Sequence, residues 1–163
     1  GYRYNAGAGG APSESALLAD GRTAMQYVLD RGYEMEQLVL YGESLGSGIA
    51  VALAAGNRVG GLVLETPYSS IADVAQKIYP LFPVRWLIKD RFDSASRAAD
   101  ISIPVLIASA ELDRVIALEN TLALRQRFSP ARLVYQQIKG AAHNDIIDFP
   151  QYRKLVENFI GAK

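Results

Sequence analysis

The chain has no cysteine among its 163 residues. That excludes a disulfide frame and a thiolate zinc site, and it leaves the redox compartment undetermined. Histidine and tryptophan occur once each, so any chemistry that needs an imidazole has a single candidate. Neither sign of charge is in excess, with 17 lysines and arginines against 17 aspartates and glutamates. No basic run or aromatic-basic interleaving stands out, and composition gives no reason to expect nucleic acid or an anionic membrane as partner. A small ligand without high charge is expected instead. No apolar stretch approaches the ~20 residues needed to span a bilayer, and no signal peptide opens the chain. Residue 1 is Gly rather than Met, which reads as a processed or trimmed chain, or as part of something longer.

What is present is apolar material. Half of the residues are hydrophobic, enough at this length for one domain with a real core and too little for two.

The central stretch is Tyr41-Gly42-Glu43-Ser44-Leu45-Gly46-Ser47-Gly48. It follows the apolar run Leu38-Val39-Leu40 and leads into Ile49-Ala50-Val51-Ala52-Leu53-Ala54-Ala55. A buried strand turning sharply into a helix is expected here. The turn fits Gly-x-Ser-x-Gly, in which the glycines remove side chains that would clash and a strained serine projects its hydroxyl above the sheet. The plainer alternative is a tight strand-to-helix connection with Ser44 as an ordinary helix cap.

Residues 1 to 11 carry four glycines and no apolar periodicity, so they read as loop. They do not read as a phosphate cradle, because no strand precedes the glycines and no Gly-Lys-Ser/Thr ending follows. Pro12 and Ser13 start a helix whose apolar positions Leu17, Leu18, Gly21, Ala24, Met25, Val28 and Leu29 recur at helical spacing. Arg31-Gly32 ends it. Strands are expected at residues 37 to 41, 61 to 65, 104 to 109 and 132 to 138. Their unalternating apolar texture suits parallel strands covered on both faces. Helical patterns at residues 47 to 55, 71 to 79, 117 to 128 and 150 to 161 separate them, so the expected fold is α/β, a mainly parallel sheet with helices on both faces. The proline-punctuated, aromatic segment at residues 79 to 97 breaks this alternation. It reads either as a short cap over the strand ends, suited to an acyl or otherwise greasy substrate, or as an extra helix packed on the sheet.

Ligands of open parallel sheets bind at the carboxyl ends of the strands. Ser44 follows the first strand, Glu111 and Asp113 the third, and His143 the fourth. A serine hydroxyl becomes a useful nucleophile when a base takes its proton, and an imidazole with an ordinary pKa near ~6.5 is suited to that at neutral pH. A carboxylate then fixes the imidazole tautomer. His143 is the only base available. Asp113 is the first choice as acid because it lies further beyond the strand end, shortly before the next helix. Glu111 is the fallback, and Asp145 reads as a loop hydrogen-bonding residue. The order Ser, Asp, His along the chain is that of the α/β-hydrolase arrangement.

Several stretches carry a family resemblance: Tyr2-Arg3 with Gly10-Ala11-Pro12-Ser13-Glu14; Gly42-Glu43-Ser44-Leu45-Gly46; Leu64-Glu65-Thr66-Pro67-Tyr68-Ser69-Ser70-Ile71; Asp113-Arg114-Val115-Ile116; and Gly140-Ala141-Ala142-His143-Asn144-Asp145. Through them the chain resembles the α/β-hydrolase superfamily, and within it the BEM46-like serine hydrolases related to the ABHD12, ABHD13 and ABHD17 groups. The resemblance implies Ser44 as nucleophile, Asp113 as acid, His143 as base and the Leu45 N–H as an oxyanion donor. It also implies an ester- or thioester-cleaving activity on a small apolar or acyl-bearing substrate, with no metal or organic cofactor.

The departures from the family pattern are Tyr4, where the first loop usually has Gly, Asn5-Ala6 in place of the following Tyr-Gly, and Ala117 where many relatives have Pro. A second oxyanion donor normally comes from a His-Gly-type loop upstream of anything in this sequence, and family topology puts another strand against the one ending at Tyr41. These absences imply a domain incomplete at its amino terminus. Leu38-Val39-Leu40 is then an exposed apolar sheet edge prone to self-association. The alternative function is a catalytically silent α/β domain that acts as a binding or interaction module.

Overall fold

The computed structural model describes residues 11–162. Most of the expected opening loop, residues 1–10, lies outside them, together with the family departures at Tyr4 and Asn5-Ala6. Helix α1 spans Glu14–Leu29, and the Ser13 hydroxyl caps it by accepting the Ala16 N–H at 3.2 Å. The helix ends ahead of Gly32, whose φ of +86° suits glycine best.

Four strands follow: β1 Val39–Glu43, β2 Gly61–Glu65, β3 Val105–Ala110 and β4 Leu133–Ile138. They form one parallel sheet in the order β1-β2-β3-β4. Each pair of strands is joined through helix: α2 Leu45–Ala55 after β1; α3 Ile71–Ile78, α4 Val84–Leu87 and α5 Ser94–Ala98 after β2; α6 Leu118–Arg125 after β3. Helix α7, Pro150–Gly161, follows β4. The first strand starts later than its sequence suggests because Met35–Gln37 forms a 3₁₀ turn. The Leu38 carbonyl just beyond that turn accepts the Gly60 N–H at 2.8 Å.

Every residue of β2 and β3 is buried, whereas β1 and β4 are partly open. Alternation within the strands then decides which helix each side chain meets. Leu62, Leu64, Val105 and Ile107 pack with Ala50, Val51 and Ala54 of α2, Ala98 of α5 and Leu124 of α6. Ala108, Ala110 and Ile138 turn to the opposite face and meet Tyr152 of α7. A full Leu side chain removed from water contributes about 2 kcal/mol, so these two layers supply most of the driving force for the fold. Helix α1 packs on α2 rather than on the sheet, with Leu17 and Met25 against Ile49 and Leu53. Gly21 allows that approach, since a Cβ there would come within 2.8 Å of Leu53 Cδ1.

The segment expected as a cap or as an extra helix forms a turn at Tyr79–Pro83, the single helical turn α4, and an extended run into α5. Phe92 anchors it in the core, where its side chain packs with Leu17 and Tyr68. The Phe92 N–H donates to Glu14 Oε2 at 2.9 Å, and Arg97 of α5 pairs with Glu14 Oε1 at 2.7 Å.

Among the described residues β1 has no neighbour on its outer side, and a groove of about 1050 Å³ runs between it and α1. Met25, Val28, Leu38, Leu40 and Ser44 are among the residues that line it.

Candidate active site

The β1 to α2 junction bends within one residue. Ser44 has φ +47° and ψ −118°, a conformation that costs a non-glycine residue about 1–3 kcal/mol. The junction is held from the neighbouring strand, because the Ser44 N–H donates to the Glu65 carbonyl at 3.0 Å. The Ser44 carbonyl in turn accepts from the N–H and the hydroxyl of Ser47 at 3.0 and 2.6 Å. Gly42 is required by closeness: a Cβ there would lie 2.6 Å from the Gly46 carbonyl oxygen and 2.7 Å from Ser47 Cα. The turn therefore closes over Gly42 and drives Ser44 outward. Its hydroxyl makes no capping bond to α2, so the alternative role of ordinary helix cap does not describe it. Leu45 is the first residue of α2, where N–H groups have no partner within the helix and the helix dipole is positive.

The loop after β3 delivers a carboxylate. Asp113 Oδ1 accepts the N–H groups of Val115 and Ile116, both at 2.8 Å, which fixes the side chain and leaves Oδ2 to face His143 Nδ1 at 2.8 Å. An ionised carboxylate only accepts, so Nδ1 carries the proton. Nε2 is then the acceptor for the Ser44 hydroxyl, 2.9 Å away. His143 is buried with only 8% of its surface exposed.

The loop bearing His143 is fastened at several points. Gly140 turns with φ +75°, and its N–H donates to Glu111 Oε2 at 2.8 Å. The Leu112 N–H donates to the Ala141 carbonyl at 2.8 Å, and the Ala142 N–H to Asp145 Oδ1 at 2.7 Å. Glu111, the fallback acid from sequence, thus holds the loop that bears His143 and does not face the imidazole. Asp145 likewise binds backbone.

Comparison with known proteins finds relatives in sequence and in fold. Protein bem46 of Schizosaccharomyces pombe is 29% identical over 168 residues, covering 98% of this chain and 55% of that protein. Alpha/beta hydrolase domain-containing protein 17C of Homo sapiens is 32% identical over 156 residues, covering 93% of this chain and 45% of that protein. The crystal structure of Paleococcus ferrophilus monoacylglycerol lipase superposes with a TM-score of 0.66 at 17% identity, over 94% of this chain and 77% of that one. The chain has the α/β-hydrolase fold, in part, and its sequence is similar to BEM46-like proteins of that superfamily. No protein-family model matches it. It spans about half the length of the curated relatives it matches.

Around this candidate site lies a polar cluster that the sequence reading missed. Glu65, 3% exposed, receives a hydrogen bond from the Tyr41 hydroxyl, and the Tyr152 hydroxyl lies 2.8 Å from that of Tyr41. Since Tyr41 gives its only proton to Glu65, Tyr152 is the donor to Tyr41. Burial first, and then the Glu65 carboxyl beside them, pushes both phenols well above their ordinary 10.0. The cluster ties the strand that carries Ser44 to the helix that follows the His143 loop. One signal was legible: Glu65 is a carboxylate closing an otherwise apolar strand run. The position of Tyr152, 111 residues from Tyr41, had none.

Tyr68 is a further addition, its hydroxyl donating to the Leu45 carbonyl at 3.1 Å across a surface that only Gly48 leaves open. Among the described residues no group of three or more His, Asp or Glu side chains is arranged to hold a metal ion.

Proposed function

We propose that this hydrolase-fold chain is a serine hydrolase that cleaves carboxylic esters or thioesters through an acyl-enzyme. The observation that carries the reading is the pair of contacts on one imidazole, Nε2 to Ser44 Oγ at 2.9 Å and Nδ1 to Asp113 Oδ2 at 2.8 Å. Ser44 Oγ attacks the carbonyl carbon while His143 Nε2 takes its proton. Asp113 keeps the imidazole in the Nδ1–H tautomer and stabilises the imidazolium. The carbonyl oxygen becomes an oxyanion that accepts a hydrogen bond from the Leu45 N–H. As the intermediate collapses, the C–O or C–S bond breaks and His143 returns its proton to the leaving alkoxide or thiolate. Water, deprotonated by His143, then attacks the acyl carbon and releases the carboxylic acid and Ser44. Kinship supports the reading in a coarser way, since the monoacylglycerol lipase of the same fold is by name an ester-cleaving enzyme.

A fluorophosphonate probe, which phosphonylates an activated serine, tests this. Wild type labels, Ser44→Ala does not, and His143→Ala and Asp113→Asn label far more slowly. A folded wild-type chain that does not label overturns the reading.

The outer side of β1, which has no strand beside it among the described residues, favours a second reading, a catalytically silent domain that binds a partner. Its outcome in the same experiment is a folded chain without labelling.

A further inference from the structure

Six of the exposed large apolar side chains lie within one short stretch: Ile78, Tyr79, Leu81, Phe82, Trp86 and Leu87. Leu81 is 93% and Trp86 89% exposed, so these are projecting tips rather than the rim of a partly filled groove. A contiguous exposed apolar patch of this kind marks an interaction surface.

The stretch is organised rather than slack. Gln76 Nε2 lies within hydrogen-bonding distance of the Tyr79, Pro80 and Phe82 carbonyls at 3.3, 3.4 and 3.0 Å, which occupies backbone acceptors on the inner side of the turn. Arg85 pairs with Asp73, Phe92 is buried, and the Ile71 N–H donates to the Arg91 carbonyl at 2.9 Å. The projection is therefore held at its base while its apolar side chains point away.

Chemistry distinguishes between the partners such a tip could meet. The chain as a whole is neutral, but residues 77–91 hold Lys77, Arg85, Lys89 and Arg91 against the single carboxylate of Asp90. Asp73 and Glu119 pair with Arg85 and Lys77, and Asp90 Oδ1 accepts the Glu14 N–H at 2.8 Å, which leaves Lys89 and Arg91 as the local excess of positive charge. Lys89 and Arg91 are exposed and have no ion-pair partner among the described residues. Aromatic side chains mixed with leucine, bordered by unpaired cations and with backbone acceptors already engaged, match the interfacial zone of a bilayer. A flat protein interface would not need a protruding tip.

We propose that residues 78–87 form a membrane-surface anchor, with the Leu81, Phe82, Trp86 and Leu87 side chains entering the interfacial zone of a lipid bilayer and Lys89 and Arg91 facing anionic headgroups. The insertion is shallow: no helix among the described residues is long and apolar enough to cross a membrane. The inference stands on surface chemistry and does not depend on Ser44 being a nucleophile.

Trp86 is the only tryptophan in the chain, so its fluorescence reports on this patch alone. The experiment mixes the chain with vesicles of phosphatidylcholine and phosphatidylserine and follows tryptophan emission together with cosedimentation. Emission is expected to begin at a water-exposed wavelength, move to the blue on vesicle addition, and be quenched by phosphatidylcholine brominated on its acyl chains. The double variant Leu81→Ser/Leu87→Ser keeps Trp86 and should partition at least about 10-fold more weakly. Lys89→Ala and Arg91→Ala should each lower binding to the anionic vesicles about 5-fold at low salt. Thermal midpoints should stay at the wild-type value, since all four side chains are exposed. Vesicle binding without a change in emission, or the absence of binding, overturns the proposal. So does emission that is already blue without lipid, or that shifts with protein concentration alone, because protein then covers the patch.

Discussion

The hydroxyl of Tyr152, on the helix after the histidine loop, lies 2.8 Å from that of Tyr41, which stands three residues before Ser44 on the first strand. Glu65, on the neighbouring strand, accepts a hydrogen bond from the Tyr41 hydroxyl. The chain of donors runs one way, from Tyr152 to Tyr41 to Glu65, and links the two ends of the candidate site through the floor of the sheet.

This cluster predicts an alkaline weakness. Both phenols are raised above their ordinary 10.0 in the folded chain, so the folded state holds protons that the unfolded state releases. Their contribution is whole below pH 10 and falls as the pH rises through and above it. Urea unfolding of wild type should lose stability steeply from pH 9 to pH 11, whereas Tyr41→Phe/Tyr152→Phe should show a flatter profile from a lower starting point. At neutral pH, Tyr152→Phe alone should cost about 1–2 kcal/mol. Parallel profiles for the two proteins would remove the cluster from the explanation.

Asp113→Asn separates folding from chemistry. An amide oxygen can still accept the Val115 and Ile116 N–H groups, so the loop and the thermal midpoint should be retained. The other amide position is now a donor facing His143 Nδ1, which favours the wrong imidazole tautomer. Fluorophosphonate labelling should slow by roughly 10³- to 10⁴-fold. Labelling within a few-fold of wild type would mean that Asp113 does not govern the imidazole.

Ser44→Gly should stabilise the chain while abolishing labelling. Glycine adopts φ +47° without steric cost, and relief of that strain is expected to raise stability by about 1 kcal/mol in urea titration. A loss of stability would show that the Ser44 side chain contributes more to the fold than its backbone strain costs.

Gly42→Ala should do the reverse. The added methyl would meet the backbone of Gly46 and Ser47 at 2.6 and 2.7 Å and Ala50 Cβ at 2.8 Å, and backbone cannot swing aside as a flexible side chain does. A destabilisation of about 2 kcal/mol or more is expected, with labelling reduced in the fraction that stays folded. A wild-type midpoint would show that α2 can move away at little cost.

The outer side of β1 predicts association. Its backbone groups have no strand partner among the described residues, and such edges pair with other chains. Analytical ultracentrifugation should show mass rising with concentration, and Val39→Lys should suppress the rise. A monomer at the highest concentrations would remove the edge as an interface.

Much of this molecule was legible along the chain. Strands buried on both faces, such as Leu62-Val63-Leu64, must be apolar at every position, and that texture persists whatever the neighbours are. A strand-to-helix turn as tight as the one over Gly42 demands residues without side chains, so Gly-x-Ser-x-Gly marks it in one dimension. A single histidine needs no choice.

Other features depended on which atoms the fold brings together. Glu111 and Asp113 are both carboxylates beyond the same strand. One meets the Gly140 N–H and the other meets His143 because of a difference in position along one turn. Tyr41 and Tyr152 are ordinary aromatic residues until α7 packs on the face of the sheet that carries Glu65. The stretch from Ile78 to Leu87 has the composition of a core segment, and only the tertiary structure turns those side chains outward. Sequence determines local backbone preference and the amount of apolar surface to be hidden. Which polar groups share a proton, and which apolar ones remain uncovered, is decided by contacts between residues far apart in the chain.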